Sequence, residues 1–189
     1  SLVVARAVEE AIALARENGV GWAGTRRGNH AGAAAVYAAM PVEHDMIGLY
    51  FAVGNANHLP PWGGTSMLLS TNPLAIAVPA LDEPPLVLDM ATTVAAYGKV
   101  KVAAQQGKAM PEGWMIDRLG RSLTDPNRAD DGFLLPIGGY KGAAMSLMFG
   151  LLAGTLNGAA NGEDVVDFNK DDMTPTNTGQ AICVLDVKA

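Results

Sequence analysis

Apolar residues return at helical spacing through LVVARAVEEAIALARENG, where Val4, Val8, Ile12 and Ala15 form one stripe and Asn18-Gly19 supplies a stop. The pattern then changes. VGWAGTRR reads as a short strand, and HAGAAAVYAAM as an Ala-rich helix that opens at Gly28-Asn29 and ends before Pro41. MIGLYFAVGN, residues 46–55, is a strand run followed by a Pro/Gly loop, ANHLPPWGGTS. NPLAIAVPA and PPLVLDMA give two further strands. TTVAAYGKVKVAAQQGK is predicted as a helix whose basic end is C-terminal, where it suits the macrodipole, and WMIDRLGRSLTD as a hairpin. A Gly-rich turn, LLPIGGYKG, feeds a long apolar helix, and an acidic loop leads to a last strand, AICVLDV. Apolar strands alternating with helices predict an α/β layered sheet buried on both faces.

Composition narrows this picture. Hydrophobic residues make up 49% of the chain and charged residues 17%, with a mean hydropathy of +0.17, so a globular fold with apolar surface left over for an interface is expected. One domain is the default for 189 residues. A net charge of −6 and a pI near 4.9 exclude a basic stripe for nucleic acid or anionic membranes, although a single cation can still hold one anionic ligand. Cys183 has no internal partner and sits in an apolar run, which fits a buried thiol in a reducing cytoplasm. The most apolar segment, GAAMSLMFGLLAG at 142–154, is shorter than the ~20 residues a membrane span requires. The chain opens at Ser1 inside a helical pattern, so further upstream sequence is expected.

Gly19, Gly21 and Gly24 spell a literal G-x-G-x-x-G. A dinucleotide fingerprint needs a strand before the first glycine and a helix opening at the third. Here a helix precedes and a strand follows, so the triplet reads as a helix stop plus strand glycines. A better anion site is Gly28-Asn29-His30-Ala31-Gly32, where small residues at a helix start leave N–H groups accessible beside an imidazole. His30 is then either a proton donor and acceptor or an ordinary helix-terminal residue. His44 and His58 read as exposed bystanders in loops. Three histidines without ligand spacing give no metal site, and Glu163, Asp164, Asp167, Asp171 and Asp172 lack calcium-loop spacing and read as a solvated loop. Lys141 does not fit the G-x-x-x-x-G-K-[ST] phosphate loop.

RRGNHAGAAAVYA, STNPLAIAVPA, LVLDMATTVAAYGKV and LLPIGGYKGAAMSLMFGLLAG, in this order, resemble the type-2 malate/L-lactate dehydrogenases, and PEGWMIDRLGRSLTDP resembles that family's hairpin. The resemblance covers nearly the whole chain. It implies a three-layer α/β/α domain with a mixed sheet, not a Rossmann fold, assembled as an intertwined homodimer. It implies NAD or NADP as cofactor and a small 2-hydroxy or 2-oxo acid, such as malate, lactate or sulfolactate, as substrate. His30 matches the histidine beside the nicotinamide, often assigned as proton donor and acceptor, and Ala31, Gly32, Ala33 and Ala34 would contact the dinucleotide. Asn55 matches a cofactor-contacting position. Asp89, Met90 and Ala91 match a D-M-A segment that meets the cofactor, although Asp89 also reads as a cap for the following helix. Lys141 and Gly142 match a turn whose lysine supplies charge to a phosphate or carboxylate, although a solvated surface lysine fits equally. Members of the family carry an upstream Ser-His-Gly motif, a substrate-binding arginine and a C-terminal segment that this sequence lacks, and Gln180 stands where many have histidine. A core of a longer enzyme is therefore expected, the other reading being a nucleotide-binding or dimerisation core without turnover.

Overall fold

The computed structural model describes residues 1–188. Helix α1 (Leu2–Asn18) buries Val4, Val8, Ala11, Ile12 and Ala15 along one stripe and stops at Gly19, whose φ of 78° lets its N–H reach Ala15 O. Strand β1 (Val20–Gly28) follows, then helix α2 (Ala34–Ala39) and a 3₁₀ turn (Met40–His44) leading into β2 (Met46–Ala52). The remaining elements are β3 (Leu74–Val78), β4 (Leu86–Met90), α3 (Tyr97–Gln105), β5 (Met115–Asp117), β6 (Gly132–Leu134), α4 (Tyr140–Ala153) and β7 (Thr178–Asp186).

The main sheet has the order β1-β7-β2-β3-β4, and every pairing in it is antiparallel. The mixed sheet implied by the resemblance is therefore corrected among the described residues. The physical reason lies in β7. Strands β1 and β2 run in the same direction, as a strand-helix-strand unit should, but β7 inserts between them and pairs antiparallel with both.

Helices α1 and α2 cover one face, packing on Tyr50, Ala52, Ala75, Ala77, Ile182 and Val184. Helix α4 covers the other, where Phe149 and Ala153 meet Phe51, Val53 and Ala181. The result is the expected three-layer α/β/α arrangement, and β2 and β7 are buried on both sides as predicted. Strand β4 departs from that expectation: it is an edge strand, and Leu86, Val87 and Leu88 are exposed. A short ribbon of β5 and β6 packs separately with α3 around Val100, Met115 and Leu134. The predicted hairpin forms on the other side of β5, where Ile116 bridges Ser122 and Asp117 accepts hydrogen bonds from the N–H groups of Leu119 and Arg121 and from Arg121 Nε in the turn.

Two helix predictions need correction. Residues 29–33 are not helical, and α2 begins only at Ala34, because Asp89 supplies its cap by accepting the Ala35 N–H at 2.8 Å. The helix predicted from Thr92 starts at Tyr97, because residues 92–94 pair with residues 135–137 through Val94 N–H to Leu135 O and Ile137 N–H to Thr92 O. No basic residue lies in the last turn of α3, so the expected macrodipole complement is absent there. Among the described residues no helix is long and apolar enough to cross a membrane.

Candidate active site

A cleft of about 300 Å³ opens where the end of β2 meets the loop after β1. His30, Ala31 and Gly32 form one wall, Val53 to Ala56 and Ser70 the floor, and the first turn of α3 the opposite wall. Close backbone approach shapes the floor. A side chain at Gly54 would meet Ser70 Oγ at 2.0 Å, and the Gly54 N–H bonds to Asn72 Oδ1. Fully buried Asn72 donates in turn to Ser146 O on α4, so the asparagine of the STNP segment is a strut between the two strand ends and the helix behind them.

A chain of hydrogen bonds fixes the loop that carries His30. Asn29 Oδ1 accepts from the His30 N–H at 2.7 Å and from Asn55 Nδ2 at 2.8 Å, and Asn55 Nδ2 also reaches Thr178 Oγ1. Gln180 Nε2 donates to Asn29 O, while Gln180 Oε1 accepts from Thr25 Oγ1 at 2.5 Å. Gln180 is thus a structural residue beneath the loop. The His30 ring is oriented by its own neighbour: Nδ1 accepts the Gly32 N–H at 2.9 Å, with Gly32 at a φ of 94° that favours glycine. A neutral ring in this geometry carries its proton on Nε2, the nitrogen left for a ligand.

The opposite wall holds a histidine that the sequence disguised. Its loop position predicts an exposed bystander, but His58 is partly buried, stacked on Tyr97 with ring centroids 4.0 Å apart and planes 16° from parallel. Burial pushes its imidazole down to about 4, with the Asp167 carboxylate opposing the shift. The unfolded chain therefore takes up a proton near 6.5 that the folded protein refuses until about 4. Stability contributed by neutral His58 should be complete above that window and decline as pH falls through it, by on the order of 2–3 kcal/mol. The His58→Phe variant keeps an aromatic ring against Tyr97 and cannot titrate. Urea unfolding at neutral and mildly acidic pH should show wild type losing more stability than this variant on acidification; parallel losses would clear His58 of the effect.

At the same wall, Lys101 Nζ lies 2.5 Å from Asn169 Oδ1 and 5.7 Å from the centroid of the Tyr97 ring. The N-terminus of α3, with Ala96 to Gly98 lining the cleft, has no side-chain cap, and a Cβ at Gly98 would meet nothing within 4 Å. Among the described residues no group of three or more His, Cys, Asp or Glu side chains is placed to hold a metal ion.

A family model described as malate/L-lactate dehydrogenase matches residues 1–189. The chain belongs to the malate/L-lactate dehydrogenase family. It is 43% identical over 164 residues to the L-sulfolactate dehydrogenase of Methanothermobacter thermautotrophicus, covering 87% of this chain and 48% of that protein. It is 35% identical to the (2R)-3-sulfolactate dehydrogenase (NADP(+)) of Chromohalobacter salexigens, covering 97% of this chain and 55% of that one. The crystal structure of a dehydrogenase from Sinorhizobium meliloti superposes with a TM-score of 0.87 at 34% identity, covering 99% of this chain and 54% of that chain. The chain spans about half the length of the curated relatives it matches.

In this malate/L-lactate dehydrogenase family chain, the structure brings His30, Ala31, Gly32 and Asn55 together at the cleft. Ala33 and Ala34 lie beyond it, Ala34 inside the core. Asp89 caps α2, a different helix from the one its sequence position suggested, and Met90, the last residue of β4, and Ala91 after it are not among the residues lining the cleft. Lys141 is exposed at the start of α4, and Gly142 is buried where any Cβ would strike Ile137 O, both outside the cleft. Sequence reasoning missed His58, Tyr97 and Lys101, and it named Asn29 only as part of an anion site, not as the residue that fixes the loop. A signal existed for His58: Leu59, its neighbour in a Pro-rich loop, is an apolar residue that proves fully buried.

Proposed function

We propose that the protein catalyses reversible hydride transfer between C4 of a nicotinamide and C2 of a small 2-hydroxy or 2-oxo acid, with NAD or NADP as cofactor and malate, lactate or sulfolactate as the substrate class. His30 carries this assignment: it lines the cleft, its ring is oriented through Nδ1, and its Nε2 is left for a ligand. The residues fit a nicotinamide dinucleotide in part. Gly32 and Gly98 leave open space on either side of the cleft, and the uncapped start of α3 offers N–H groups to a phosphate. A cleft of about 300 Å³ holds the reacting end of a dinucleotide, while the remainder would extend past its mouth.

When bound, the nicotinamide supplies or accepts the hydride. The chain's own residues orient and polarise. The His30 Nε2–H donates to the substrate oxygen and steadies the negative charge that develops there during reduction. Asn29 and Asn55 keep the loop in register with the floor of the cleft. A second role for His30, exchange of the proton itself, requires the Gly32 N–H to be released when Nδ1 is protonated. We place the protein in the cytoplasm as a homodimer, in which a second copy covers exposed apolar residues such as Leu86, Leu147 and Met148.

Titration with NADH and with NADPH, followed through the fluorescence of Trp22, Trp62 and Trp114, tests the assignment. Saturable binding of one nucleotide, with reduction of a 2-oxo acid at an ordinary enzymatic rate, is the expected result. Binding without turnover on any 2-oxo acid would leave a nucleotide-binding core, and no binding of either nucleotide would remove the assignment altogether.

A further inference from the structure

We propose that Lys101 is the charge that receives an oxyanion of the bound ligand, a role that rests on the dehydrogenase assignment for its biological meaning but not for its test. Among the described residues that line the cleft, Lys101 is the only one with a lysine, arginine, aspartate or glutamate side chain. Among the described residues no carboxylate lies within 4.0 Å of its ammonium, in contrast to Lys170, which is paired with Asp130 at 3.1 Å. One of its three N–H groups reaches Asn169 Oδ1, and the exposed ammonium presents the others to solvent or to a ligand.

The surroundings fix the ammonium at the edge of the cleft, where Lys101 and Asn169 also border a second cavity that carries Asp130, Asp167 and Lys170. Asp167 Oδ1 accepts both the backbone N–H and the Nδ2 of Asn169, which leaves only the amide oxygen of Asn169 to face Lys101. The Tyr97 face lies within cation–π range on one side. His58, stacked behind that ring, is neutral and brings no competing charge. The sequence carries a net charge of −6, so an anionic ligand gains from a local cation at the site it enters. Both ligands of the proposed reaction carry oxyanions, the carboxylate of a 2-oxo acid and the phosphates of a dinucleotide, and Lys101 suits either.

Calorimetric titration of the unliganded protein with pyruvate, as a carboxylate probe, and with inorganic pyrophosphate, as a phosphate probe, distinguishes the two sources. Lys101→Met should weaken binding of one probe about tenfold, Lys101→Arg should stay within about threefold of wild type, and Lys99→Met, on the same helix but outside the cleft, should change neither. Loss confined to pyruvate assigns the substrate carboxylate, and loss confined to pyrophosphate assigns the cofactor. Equal affinities in wild type and Lys101→Met, or no binding of either probe by wild type, would overturn the proposal. If the probes bind through Lys101 while the protein reduces no 2-oxo acid with NADH or NADPH, the dehydrogenase assignment fails and the oxyanion subsite stands.

Discussion

His30→Ala should lower turnover roughly 10²- to 10³-fold while changing nucleotide affinity little, the loss expected when one hydrogen-bond donor to a developing oxyanion is removed. The comparison with His30→Gln separates the two roles open to this residue. Glutamine retains an N–H donor but cannot carry a titrating proton at physiological pH. With Nδ1 engaged by the Gly32 N–H, the neutral ring acts through its Nε2–H, and His30→Gln should recover to within about tenfold of wild type. Equal losses of about 10² to 10⁴ in both variants would instead identify proton exchange as the role of His30, with the Gly32 bond broken during turnover. Unchanged turnover in both would take His30 out of the chemistry.

The second large effect falls on stability. A Cβ at Gly21 would lie 1.9 Å from Ala11 O and 2.9 Å from the Ala15 nitrogen, so α1 and β1 touch backbone to backbone at this point. Neither partner can yield cheaply. Helix α1 is held to the sheet by Val4, Val8 and Ile12, and β1 by its ladder to β7. Gly21→Ala should cost on the order of 3 kcal/mol or more through overpacking, lowering the thermal midpoint by about 10 °C or preventing folding. Gly98→Ala is the matched control, because it adds the same methyl group in open space on a helix and should leave the midpoint unchanged or slightly raised. A Gly21→Ala protein that melts with wild type would show that the helix can shift without cost.

Gly21 also explains what could be read from the chain and what could not. Its literal G-x-G-x-x-G belongs to packing: Gly19 ends α1 with a positive φ, Gly21 admits that helix, and a Cβ at Gly24 would strike Asn157. Local order made this legible, since a helix before the triplet and a strand after it already excluded a phosphate turn. Helix α1, the five strands of the main sheet and the long apolar α4 were legible for the same reason, each being set by its own local pattern, whereas β6, which pairs with β5 across a long loop, was not. Features set by distant partners were not. The late start of α2 depends on Asp89, 55 positions beyond Ala34 in the chain (89 − 34). The burial of His58 depends on Tyr97, and the antiparallel pairing of the sheet depends on where β7 enters. Of the cleft, the sequence showed His30 and Asn55, which its motifs carry, and hid the wall that folding assembles from His58, Tyr97 and Lys101.

The place of β7 also governs how the molecule can form. Trp22 pairs with Cys183 and Leu49 with the same residue from the other side, so the centre of the sheet joins segments separated by most of the chain. Until β7 is made, β1 and β2 each present an unpaired edge, and the loop bearing His30 lacks Thr178 and Gln180, which tie it down. Such non-local closure is entropically costly and slow, and it leaves β1 and β2 prone to associate through their open edges until β7 is in place. The strand that fills the centre of the sheet therefore also anchors the loop that carries His30.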